Sequence, residues 1–188
     1  MPIITVTAGK ELGKLKELIL YVTYKCQEKS NFGSTLLNKI LFYADFYSYA
    51  FNHKPITEAT YRADDYGMVP VELIEARGEL VDEGRLEVRS IDCYGREQKR
   101  PMLTQPFEPL VLSKEEREFV DGIIETFGAF TGKEISELNH KEVAYAFSRY
   151  GERIPYNRIY ALGPVEVPLH VQQWAVDTAR KLGYEYSM

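Results

Sequence analysis

Apolar positions recur at three and four residues from Lys10 to Lys29, where Leu12, Leu15, Leu18, Ile19, Val22 and Cys26 form one stripe and predict an amphipathic helix. Ser30-Asn31-Phe32-Gly33 interrupts it, and Ser34 stands where the N-cap of a second helix belongs. That helix, Thr35 to about Phe51, is apolar on nearly every face, through Leu36, Leu37, Ile40, Leu41, Phe42, Tyr43, Phe46 and Tyr47. Such a helix is expected at the centre of a core. Its polar residues Ser34, Asn38, Asp45 and Asn52 fall on one narrow line, within about 40° at 100° per residue.

Pro55 to Arg62 reads as a short extended piece, followed by a turn at Asp64-Asp65-Tyr66-Gly67. Pro70 suits the first turn of a helix reaching Glu83, with Leu73, Ile74, Leu80 and Val81 on one face and Gly84 ending it. Leu86 to Ile91 and Glu97 to Leu103 predict a hairpin around Asp92-Cys93-Tyr94-Gly95. Ser113 and Thr131 each precede a Glu by three residues, so two capping boxes introduce two more helices. A further helix is expected over Lys141 to Tyr150, a helical turn from Pro155 to Tyr160, and a last amphipathic helix over Leu169 to Leu182 carrying Trp174. The fold class is therefore mainly α (α+β). It is a single helical domain with a small antiparallel β-hairpin, winged-helix-like in the order of its N-terminal half.

Composition changes this picture little. The 188 residues are 45% hydrophobic and 27% charged, with a net charge of −5, which argues against a general polyanion binder. Cys26 and Cys93 lie far apart and read as free thiols of a reducing compartment. Met1 to Val6 does not resemble a secretory signal, and no apolar run reaches the 18 or so residues of a membrane span. A cytoplasmic location without membrane contact is the expectation. Tyrosine is plentiful, at 14 residues, and suits both cores and protein interfaces.

Chemistry is sparse. There is no nucleophile elbow, phosphate-binding loop or dinucleotide fingerprint, and His53, His140 and His170 stand alone. An enzyme is not expected, and no cofactor or metal site is called. DNA reading is the alternative. Arg85, Arg89, Arg96, Lys99 and Arg100 make the hairpin basic, but Glu72, Glu75, Glu79, Asp82 and Glu83 against Arg77 alone would repel a duplex from the preceding helix.

Leu36 to Phe46, reading LLNKILFYADF, resembles the "LNKLLYFADF" run of the SocA-like antitoxins, the Panacea domain family also found in phage-associated proteins. Pro55-Ile56-Thr57, Tyr61, Tyr66-Gly67-Met68-Val69-Pro70, Leu138-Asn139-His140, Val143-Ala144-Tyr145 and Ile154-Pro155-Tyr156 follow in the family's order. Met68 stands where the family usually has Pro, and Tyr145 where it has Trp. The resemblance covers about Leu15 to Tyr160, dividing the chain into a domain at 10–160 and a C-terminal extension at 161–188. It implies a non-enzymatic antitoxin that neutralises a protein toxin encoded nearby by direct contact. A phage or host scaffold protein is a third reading, and self-association is left open. Asn38, Tyr43, Asp45, Tyr61, Tyr66, Gly67, Pro70 and His140 are the motif residues. Of these, Asn38, Asp45, Tyr61 and Tyr66 are expected to hold the central helix against the Tyr66-Gly67 turn through buried hydrogen bonds. Partner contacts are expected at Glu72, Glu75 and Glu79 on the acidic helix face, which would suit a basic partner, and at Tyr94 and Arg96 in the hairpin.

Overall fold

The computed structural model describes residues 7–93 and 95–160. The expected C-terminal helix with Trp174, and Tyr94, lie outside the described residues, as do the side chains of Arg96 and Val143. The fold is mixed α/β with helix predominant. Helix α1 spans Thr7–Cys26, α2 Ser34–Asn52, α3 Leu73–Asp82, α4 Lys114–Phe127, α5 Gly132–Lys141 and α6 Val143–Ala146; a 3-10 turn spans Tyr156–Tyr160. The strands are β1 Tyr61–Asp64, β2 Gly67–Pro70, β3 Leu86–Cys93, β4 Arg96–Leu103 and β5 Arg153–Ile154.

Helix α2 is the axis of the molecule. Leu36, Leu37 and every residue from Lys39 to Phe46 are buried, because α1, α4, α5, β2, β4 and the 3-10 turn all pack on it. Tyr43 stacks on Phe127 of α4 with ring centroids 4.1 Å apart, and Phe46 meets Tyr61 edge to face at 5.2 Å. Ser34 does not cap the helix. Gly33 occupies the N-cap without a side-chain bond, and the Ser34 hydroxyl donates instead to the Lys99 carbonyl of β4, 3.0 Å away. The two capping boxes form as the sequence predicts, at Ser113 with Glu116 and at Thr131 with Glu134.

Two antiparallel sheets are present among the described residues, where the sequence suggested a single hairpin. Strands β3 and β4 pair in full register from Leu86↔Leu103 to Cys93↔Arg96. The second sheet has the order β2-β1-β5, so the strand ahead of α3 pairs within its own sheet and not with the β3–β4 hairpin. The region 55–62 contributes only its last residues to β1, and Asp65-Tyr66 makes a two-residue turn into β2. Pro70 is not in a helical first turn. It ends β2, paired with Tyr61, and α3 begins at Leu73. The missing N–H is harmless there. Val71 N–H bonds back to Thr60, so alternation turns the positions of Met68 and Pro70 toward the open side of the strand.

Helix α3 buries Leu73, Ala76 and Leu80 and leaves Ile74 and Val81 exposed, a face rotated from the one the sequence suggested. The helix expected over Lys141 to Tyr150 is reduced to α6; Ala144 is buried but Phe147 is exposed. Residues 149–152 then turn back, so that Gly151 and Glu152 bond both polar backbone groups of Ala63.

Candidate functional site

The motif residues form two buried polar clusters, separated along α2 by six residues. The first surrounds Asp45, which is fully buried. Its Oδ1 accepts from the Thr57 amide at 2.7 Å, and its Oδ2 accepts from the Thr57 hydroxyl and from the Tyr61 hydroxyl at 2.8 Å. The Leu41 carbonyl is a second acceptor for Tyr61 at 2.9 Å. Burial pushes the Asp45 carboxyl up to about 6, against the hydrogen bonds from Thr57 and Tyr61 that favour its ionised form. Tyr61 is likewise held well above the ordinary phenol value by burial and the neighbouring carboxylate. This cluster closes the 55–61 segment onto α2.

The second cluster covers the open edge of β2. The Met68 amide donates to Asn139 Oδ1 at 2.9 Å, and the Met68 carbonyl accepts from Lys39 Nζ at 3.3 Å. Side chains from α5 and α2 thus occupy the place of a neighbouring strand. Gly67 makes this fit possible. Its φ is +101°, and a Cβ there would stand 2.2 Å from Asn139 Oδ1 and 2.6 Å from Lys39 Nζ. Lys39 is 1% exposed, and burial lowers its ammonium to about 7, partly offset by Asp64.

The expected network therefore divides differently. Asp45 and Tyr61 belong to the first cluster, whereas Tyr66 is 71% exposed at the hairpin tip and Asn38 has a buried Oδ1 without a partner. Thr57, Lys39 and Asn139 carry bonds that the sequence reading assigned elsewhere. A signal for Lys39 was present: on a helix buried all round, a lysine has no route to water. The Tyr43 hydroxyl and His140 Nε2 are buried without partners, and the His140 ring stacks on Tyr145 at 4.6 Å.

Beside the second cluster, a cleft of about 210 Å³ opens between α2, the β1–β2 hairpin and α3. Asn38 and Lys39 line one side, Arg62 and Arg77 the other, with Tyr66 and Ile74 on the rim.

The residues expected to meet a partner are partly engaged within the chain. Glu72 accepts from the Thr60 amide at 3.1 Å, and Lys16 bridges Glu79 at 3.0 Å and also Glu83, leaving Glu75 as the exposed acid of the expected trio. Three of the hairpin cations are engaged too. Arg85 pairs with Glu83, Arg89 with Glu87, and Arg100 donates to the Ser30 and Phe32 carbonyls of the α1–α2 loop. Among the described residues no cluster of three or more His, Cys, Asp or Glu could hold a metal ion, and no helix is long and apolar enough to cross a membrane.

The family model described as "Antitoxin SocA-like, Panacea domain" matches residues 37–146, more than half of the chain. The chain belongs to this family. The match runs from within α2 through α6, so both buried clusters and all of the cleft lining except Ser34 and Thr35 fall within the Panacea domain. Neither the curated proteins nor the solved structures provide a match.

Proposed function

We propose that this Panacea-domain protein is a non-enzymatic antitoxin, which neutralises a protein toxin encoded beside it by direct binding. The family match over residues 37–146 carries the reading. The chemistry of the motif residues supports it, since Asp45, Tyr61, Lys39 and Asn139 are all spent on holding strands and loops against α2. Large apolar side chains stand in solvent close to α3, with Tyr66 at 71% and Ile74 at 69% exposure, and exposed Glu75 adds charge beside them. Aromatic and branched anchors of this kind concentrate binding energy in protein interfaces. A stable interface needs about 800 Å² per partner.

Co-expression tests the reading. The neighbouring frame, expressed alone, is expected to arrest growth, and this chain is expected to restore it while co-purifying with the toxin. A neighbouring frame that is harmless alone, or toxicity unaffected by this chain, would refute it. A partner that co-purifies without growth rescue would favour the scaffold reading instead.

A further inference from the structure

The cleft between α2, the β1–β2 hairpin and α3 has a lining that the buried clusters do not explain. Two guanidinium groups border it, Arg62 and Arg77, against the single acid Asp64, and Lys39 of the second cluster adjoins them. Arg62 spends one guanidinium nitrogen on Asp64 at 3.3 Å. Arg77 is half-buried and forms no hydrogen bond or ion pair among the described residues. A guanidinium beside a cleft and without an internal partner presents a planar fork suited to a carboxylate or a phosphate.

A second observation is independent of charge. The Asn38 amide lines the same cleft with its Oδ1 buried and unpartnered. Buried polar atoms in folded proteins are nearly always satisfied, and this one has no donor among the described residues. Apart from the hydroxyls of Ser34 and Thr35, the remaining lining is mostly apolar, with Val69, Pro70 and Leu73 as well as Ile74 and Tyr66. Cationic forks, one hungry acceptor and an apolar wall together define a ligand with a charged head and a compact body.

We propose that this cleft is a binding site for an organic anion, whose carboxylate or phosphate head lies between Arg62 and Arg77 and whose body packs on Val69, Pro70 and Ile74. A hydroxyl or amide N–H on the ligand meets Asn38 Oδ1. The head group has two natural sources, a small organic phosphate or the acidic side chain of a polypeptide. Both present the same chemistry to the arginines. The site stands on the chain alone, whether or not a toxin is its partner.

The test titrates the ¹⁵N-labelled full chain with phenyl phosphate in one arm and with the peptide acetyl-Ala-Glu-Ala-amide in the other. Phenol and the corresponding Gln peptide serve as uncharged controls. Saturable shifts at the amides of Asn38, Arg62, Ile74 and Arg77 are expected from at least one anion, and none from its uncharged control. Whichever arm binds more tightly identifies the source of the head group. Losing one charge-assisted contact weakens binding about tenfold, so Arg77→Ala is expected to show that drop, and Arg77→Lys, which keeps the charge without the fork, a smaller one. Added salt should weaken the interaction. Absence of cleft shifts in both arms, equal shifts from the uncharged controls, or binding unchanged in a folded Arg77→Ala protein would overturn the proposal.

Discussion

Asp45 carries opposite signs of stability at two pH values, and an isosteric substitution separates them. In the native protein the carboxyl is fully buried and displaced from 3.8 to about 6, chiefly by desolvation. The folded state therefore binds this proton more tightly than the unfolded chain. Its contribution to stability is greatest below pH 4, is lost as pH rises from about 4 to about 6, and is level above that. At about 1.36 kcal/mol per pH unit, the loss amounts to about 3 kcal/mol. Asp45→Asn keeps the shape and cannot ionise. Its Oδ1 still accepts from the Thr57 amide, its Nδ2 turns toward the Tyr61 oxygen, and Tyr61 directs its hydrogen bond to the Leu41 carbonyl alone. The variant is expected within about 1 kcal/mol of the wild type at pH 4, and to gain on it by about 3 kcal/mol by pH 7.5. Asp45→Ala strands the amide and hydroxyl of Thr57, at about 1–3 kcal/mol each, and is expected to lose most at pH 4. Urea unfolding followed by far-ultraviolet circular dichroism at pH 4, 5, 6 and 7.5 measures these differences. A difference between wild type and Asp45→Asn that does not change with pH would refute the electrostatic argument. An Asp45→Ala protein as stable as wild type at pH 4 would refute the structural role itself.

Lys39→Met is expected to isolate a second pH effect. Because burial lowers the ammonium from 10.5 to about 7, wild-type stability should rise with pH above 7 as the unfolded chain keeps its proton longer, and the rise should vanish in the variant; urea midpoints between pH 7 and 9.5 measure it. Gly67→Ala combines a φ of +101° with contacts at 2.2 and 2.6 Å and is expected to cost about 2–4 kcal/mol. Gly151→Ala is the control, with φ +77° and open space around its Cβ, and is expected to cost about 1 kcal/mol in thermal melts. Glu17, buried in α1, accepts the amides of Leu110, Val111 and Leu112 at 3.0, 2.8 and 2.7 Å. Glu17→Ala is expected to lower stability by about 2–4 kcal/mol and to speed hydrogen exchange at those three amides, whereas unchanged protection there would contradict the contact.

Local rules settle much of the secondary structure of this chain. The greasy run from Leu36 to Phe46 could only be a central helix, and Ser113 with Glu116 and Thr131 with Glu134 announced their helix starts, since a capping box depends on residues within one turn. The family resemblance, too, was legible in the α2 run and was later matched over residues 37–146. Tertiary structure decided the rest. Pro70 has the same fixed φ in a helix start and at a strand edge, and only the pairing of β2 with β1 chose between them. Strand β5 is two residues long and exists because the 149–152 turn brings it to β1, where Ile154 pairs with Tyr61 and Arg153 with Arg62 from more than 90 residues away along the chain. Asn38 and Lys39 are adjacent on one helix, yet one faces the cleft with an unpartnered oxygen while the other closes a sheet edge. The role of Lys39 depends on Met68, 29 residues away along the chain, and a one-dimensional pattern carries no distance between such residues.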